Sequence, residues 1–187
     1  MDTKEQRRLN ILTKPILPLL VKTAIPTIIG MLISVIYNLT DTFFVGRLHN
    51  SAMIAAIGVV FSFTGIMQAL GFWFGYGSGN AMAKNIGAQD YAEAETISSI
   101  GIVLAIATGV ALAIAASIFV VPLAKRIGGN ASHDVLIFTV QYLRIIIISV
   151  PFSLYAVTLY NQLRLCGNVR DGMIGLLSGM LSNMVLD

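Results

Sequence analysis

Charge is what this chain has least of. Asp, Glu, Lys and Arg together make up 11% of its 187 residues, where soluble domains carry roughly a quarter. With 56% of residues hydrophobic, too little polar side-chain material remains to cover a water-facing surface. An ordinary soluble domain is excluded, and the chain reads as an integral membrane protein. One cysteine, Cys166, excludes an intrachain disulfide. The two histidines, His49 and His133, fall in different loops without ligand-type spacing around them, so no metal site is expected. One tryptophan gives no Trp belt. Neither a nucleophile–base pair nor a phosphate-binding loop occurs, so no catalytic residue and no enzyme activity are expected, and no cofactor.

What is present is a series of long apolar runs. A spanning helix needs about 20 apolar residues, and five segments come near that: 23–45, 51–87, 91–121, 134–163 with a polar lead-in from His133, and 172–187, which the end of the sequence cuts short. Residues 1–22 form a polar, basic tail and helix lead-in. The run that follows is too long for a signal-peptide core and ends in no A-x-A cleavage pattern, so it is expected to stay as the first transmembrane helix. The connecting stretches GRLHNS, GAQD, KRIGGNASHD and RLCGNVRD carry turn chemistry. With the N-terminus inside, basic residues divide eight inside to four outside. The small excess of +3 therefore reads as membrane orientation, with a cytoplasmic N-terminus in the plasma membrane, and not as nucleic-acid binding.

The second run carries small residues at four-residue spacing: Gly71, Gly75, Gly79, Ala83 and Gly87. Such a stripe lets another helix approach closely within a bilayer. The GYGSGN stretch inside it is not a nucleotide loop, because Asn80 stands where a third glycine is needed and no strand precedes it.

A carboxylate, Asp41, lies in the first run, within SVIYNLTDTFFVG. Residues three and four apart share a helix face; stepping back from Asp41 gives Tyr37 and Asn38, then Ser34, Gly30, Thr27 and Thr23. One polar and small stripe thus faces protein or a water-filled cavity, with Tyr37, Asn38 and Ser34 as lining. Pro26 on the same helix removes a backbone hydrogen bond and creates a place to bend. Two readings of Asp41 are open. It is solvated at the outer interface beside Arg47, or it is an intramembrane ionisable group, which is by default a functional site. The fifth run favours the second, because its stripe Gly172, Gly175, Gly179 leads to Asn183 and Asp187. At about 1.5 Å per residue, Asp41 rises about 27 Å from Thr23 and Asp187 about 24 Å from Asp171. If the two helices are neighbours, Asp41, Asn183 and Asp187 meet in one pocket. Two carboxylates there cannot both stay ionised cheaply. The pair takes up a proton, or holds Na⁺ with the Asn183 carbonyl and backbone oxygens.

These residues carry a family resemblance. YNLTDTFFVGRL after a proline-containing first helix, then AAIGVVFSF, GYGSGN, NIGAQD, RLCGN and the Asn183-x-x-x-Asp187 pair resemble a prokaryotic MATE (multidrug and toxic compound extrusion) transporter. The Asp on the first helix with Asn and Asp on the fifth is similar to the DinF-type branch. The resemblance implies an all-α membrane fold of two six-helix lobes in one chain, with H⁺ or Na⁺ entry driving export of organic cations. It also implies that Asp41, Asn183 and Asp187 form the N-lobe cation site, with Pro26 as the hinge of a first helix that bends on protonation. The expectation is the N-terminal lobe of such a transporter, with about five transmembrane helices present and the fifth truncated. Residues 173–187 span about 22 Å of a core about 30 Å thick, so the sequence reads as a fragment whose C-terminal lobe belongs to the same chain. The expected partners are membrane lipid and small organic cations. The alternatives are a lipid-linked saccharide flippase of related architecture, which needs several basic cavity residues where Arg144 alone lies mid-run, and a truncated membrane protein that transports nothing.

Overall fold

A computed structural model describes residues 13, 15–47 and 50–186. Within the helices, the side chains of Pro26, Ser34, Tyr37, Asn38, Asp41 and Asn183 lie outside the described set, as does Asp187 entirely. All regular structure among the described residues is helical. Helix α1 spans Ile16–Gly46, α2 Ser51–Gly87, α3 Tyr91–Ile118, α4 Val120–Arg126, α5 His133–Leu165 and α6 Val169–Leu186, with a 3₁₀ turn at Gly129–Ala131.

The helix starts follow from short polar side chains that accept from otherwise orphaned backbone N–H groups. Asn50 Oδ1 accepts from Ala52 and Met53 N–H at 3.0 and 3.2 Å, opening α2. Asp90 Oδ1 accepts from Glu93 N–H at 3.1 Å, opening α3, and Ser132 Oγ accepts from Val135 N–H at 3.2 Å, opening α5. Between α5 and α6 the chain turns through Gly167 at φ +81°, a left-handed conformation that favours glycine. There Asn168 N–H donates to Leu163 C=O at 2.8 Å, closing the helix end.

Two boundaries differ from the sequence expectation. Helix α1 begins at Ile16, seven residues before position 23. The third helix does not run on to residue 121: it stops at Ile118, bends at Phe119 and restarts as α4. Pro122 accounts for the break, because it has no N–H to donate to the Ile118 carbonyl and is tolerated only in the first turn of a new helix. The restart turns Val120 and Ala124 into the core.

Helices α2, α3 and α5 form the central unit, and α4 closes one end of it. The core gathers Val60, Phe63 and Met67 of α2, Ala105 of α3, Val120 and Ala124 of α4, and Leu143, Ile147, Val150 and Leu154 of α5. Close approach depends on missing side chains. A Cβ on Gly71 would meet Val157 at 2.8 Å, and one on Gly75 would meet Asn161 Cβ at 2.7 Å. On Gly79 it would meet Leu165 at 2.7 Å, whereas at Gly87 it would meet nothing within 4 Å. On α3, Gly109 likewise lies against α5, with the Pro151 backbone 2.7 Å from where its Cβ would be. Outside this unit, α6 packs on α5, and α1 packs on α6.

Large apolar side chains such as Phe61, Trp73, Val103, Ile148 and Phe152 project outward and are exposed, as a bilayer requires. Among the described residues, α2, α3 and α5 are each long and apolar enough to cross a membrane. The chain is a multi-pass membrane protein.

Candidate functional site

Inside the central unit, Gln162 and Thr158 of α5 are paired individually, whereas the buried Thr139 hydroxyl on the same helix meets no partner among the described residues. Gln162 is buried; its Nε2 donates to Ser78 Oγ (2.9 Å) and to the Ser98 carbonyl (3.2 Å), while its Oε1 accepts from Ser98 Oγ (3.1 Å). One amide thus ties α2, α3 and α5 together. Thr158, also buried, donates to the Gly71 carbonyl at 3.4 Å. Unpaired amides or hydroxyls in such surroundings would cost about 1–3 kcal/mol each, so this network fixes the register of α5 on α2 and α3.

Beyond it, a cavity of about 590 Å³ opens between the central unit and the α1–α6 pair. Helix α1 contributes Gly30, Met31 and Val35, α2 contributes Gln68, Phe72 and Tyr76, and α6 contributes Asp171, Gly172 and Gly175. Helix α5 lines it from Tyr155 to Arg164. The walls are mostly apolar and aromatic, with Arg164 and Asp171 as the charged residues of the lining. Arg164 Nη2 donates to Tyr76 Oη at 2.7 Å and to the Oδ1 of buried Asn161 at 3.1 Å. Its guanidinium lies 5.4 Å from the Tyr76 ring centroid and 5.9 Å from that of Tyr160, within cation–π range. The Asp171 carboxylate accepts from Asn168 Nδ2. A shallower groove, lined by Ile16, Leu20 and Thr27 of α1 and by Val169, meets the cavity at Met31 and Arg164.

Helices α1 and α6, which the sequence could not place side by side, are neighbours. A Cβ on Gly30 would stand 4.0 Å from Met173 Cγ. Their contacts advance in the same direction: Ile16 and Leu20 share the groove with Val169, Gly30 meets Met173, and Val35 shares the cavity with Gly175. The two helices run parallel. Helix α1 continues through Pro26, Ser34, Tyr37, Asn38 and Asp41, and α6 through Asn183, so the backbones of these expected site residues lie on the paired helices. Their side-chain positions, and Asp187, lie outside the described residues.

Sequence reasoning passed over Tyr76, Tyr160, Asn161 and Arg164. A signal was available, since Thr158, Asn161 and Gln162 interrupt an apolar run at helical spacing just as the Asp41 stripe does. Arg164 read only as a charge at a helix end. Among the described residues, no group of His, Cys, Asp and Glu is arranged to hold a metal ion.

A family model described as MatE matches residues 26–187. The multidrug export protein MepA of Staphylococcus aureus (strain MRSA252) is 32% identical over 173 residues, covering 92% of this chain and 38% of its own length. MepA of Staphylococcus haemolyticus (strain JCSC1435) is 34% identical over 164 residues, covering 88% of this chain and 36% of its own. A solved structure of a multidrug resistance MATE family transporter of the MOP superfamily, in an outward-facing conformation, superposes with a TM-score of 0.82 at 26% identity. That superposition covers 89% of this chain and 36% of the transporter. The chain spans a little over a third of the length of the relatives it matches.

Proposed function

The chain belongs to the MatE family, and from that premise we propose that it forms the N-terminal lobe of an H⁺- or Na⁺-coupled antiporter that exports cationic or amphipathic organic compounds. The observation that carries this reading is the cavity of about 590 Å³ between the central unit and the parallel α1–α6 pair. Its aromatic and apolar walls suit a flat organic body.

The coupling site lies further along the same two helices. From the Gly30–Met173 contact, at about 1.5 Å per residue, Asp41 stands about 16 Å and Asn183 about 15 Å onward. This matching height supports a shared site of Asp41, Asn183 and Asp187. Asp41 and Asp187 take the H⁺ or Na⁺, and the Asn183 amide oxygen completes the ligand set. Tyr37, Asn38 and Ser34 line the approach from the cavity, and Pro26 supplies the bend. Occupation by a cation changes the charge at one wall, and α1 is the element free to respond, because it reaches the central unit chiefly through α6. A ligand shifts such an equilibrium only by its differential affinity for the two arrangements. In the complete protein the second lobe provides the facing wall, the N-terminus is cytoplasmic and the plasma membrane is the site of action.

The test is ethidium efflux from cells carrying the full-length protein. Asp41→Asn is expected to abolish efflux while leaving the amount in the membrane unchanged; undiminished efflux would sink the proposal.

A further inference from the structure

The cavity and the shallower groove meet at a narrow boundary: among the described residues, only Met31 and Arg164 line both. The groove, of about 620 Å³, lies toward the start of α1. Its walls are mainly apolar, with Ile16, Leu20, Ala24 and Ile28 of α1 across from Leu165 and Val169. It exists because α1 leans on α6 and, among the described residues, has no comparable contact with α5 or α2. Ile16, Leu20 and Ile28 are exposed, and wetting such walls is unfavourable, so the groove suits contact with acyl chains better than with water. With the N-terminus inside, as proposed above, it opens on the inner leaflet.

The two sides of the boundary differ in freedom. Arg164 is held by Tyr76 Oη and Asn161 Oδ1 and lies against the Tyr76 and Tyr160 rings. Met31 is exposed on α1, and its unbranched side chain rotates easily. One jaw is braced and the other moves. We infer that the groove is a lateral entrance through which amphipathic compounds dissolved in the inner leaflet reach the cavity, with Met31 and Arg164 as its constriction. This rests on the reading that the cavity receives amphipathic organic molecules. It adds the direction from which they come and the side chain that admits them.

Val35 lines the cavity and not the groove, Ala24 lines the groove and not the cavity, and exposed Ile25 lines neither. Val35→Cys is therefore placed in the full-length protein, with Cys166 and any further cysteine replaced by serine, in proteoliposomes. Its labelling rate is followed with membrane-soluble N-pyrenylmaleimide and with a charged stilbene-disulfonate maleimide. Adding Ala24→Phe, which fills the groove, should slow the pyrenyl reagent roughly tenfold or more, the effect of one steric clash on a passage barrier. Ile25→Phe should leave that rate unchanged, and Met31→Ala should raise it. The charged reagent should react equally in all of them, which also shows that the variants are folded.

A pyrenyl rate that Ala24→Phe leaves unchanged would mean that the groove is covered or bypassed in the complete protein, and would overturn the inference. Equal slowing by Ala24→Phe and Ile25→Phe would overturn it as well, because the effect would not belong to the groove. So would equal slowing of both reagents by Ala24→Phe, which would make the route aqueous. An unchanged rate in Met31→Ala would remove the constriction. A Val35→Cys thiol that neither reagent reaches would instead remove the cavity reading itself, a result distinct from the others.

Discussion

At the scale of single residues, environment decides what each polar group can do. Cys166 follows α5 directly, and burial pushes its thiol above the usual cysteine range. The direction fixes a sign. A raised value in the folded state means the neutral thiol is favoured there, so the associated stability is present below the unfolded-chain value and is lost as pH rises through the raised one. Iodoacetamide, which attacks the thiolate, should therefore alkylate the detergent-solubilised native protein with a pH midpoint above that of the SDS-denatured chain. Coincident midpoints would contradict this. Asp41 was legible in the sequence because a carboxylate in an apolar run breaks a pattern. Arg164 was not, because a basic residue at a helix end is ordinary, and only the fold brings Tyr76 from 88 positions away onto its guanidinium.

At the scale of helices, spacing carried most of the information, and its limits are physical. The stripe Gly71, Gly75, Gly79, Ala83, Gly87 is uniform in sequence, yet α5 uses only part of it. Gly75→Ala places a Cβ 2.7 Å from Asn161 Cβ and 3.2 Å from the Thr158 backbone, and such overpacking should destabilise by about 1–3 kcal/mol. Gly87→Ala meets open space and should be neutral or stabilise by up to about 1 kcal/mol through helix propensity. Unfolding midpoints in detergent measure both, and equal effects would show that the contact is not formed. The opposing row on α3, where Ala94, Gly101, Ala105 and Gly109 are buried, has the same small-residue character and went unread because its first interval is seven rather than four. The break before α4 was hidden for another reason: hydropathy does not fall at Phe119, and only the missing N–H of Pro122 marks the place.

At the scale of the whole molecule, membrane class and family were legible from composition and from the order of short motifs. The pairing of α1 with α6 was not, since nothing local tells two helices more than a hundred residues apart that they are neighbours. That pairing puts the helix that carries Asp41 next to the helix that carries Asn183, and on the proposed reading coupling follows if the two share an ion with Asp187. Asp187→Asn in the full-length protein should accordingly weaken the Na⁺ or pH dependence of transport in proteoliposomes, while dependence like that of the wild type would separate Asp187 from the site. The chain's relatives extend well beyond it, so the cavity described here is one wall of the proposed exporter. The measurement that bears most directly on the central claim is tetraphenylphosphonium binding to the full-length protein as a function of pH and Na⁺ concentration. If ion and substrate favour opposite arrangements, as the proposed antiport has it, reciprocal linkage makes affinity fall as the coupling ion is raised, and Asp41→Asn should abolish the dependence. Affinity that stays flat in both ions for the wild type, or a dependence that survives Asp41→Asn, would contradict the account.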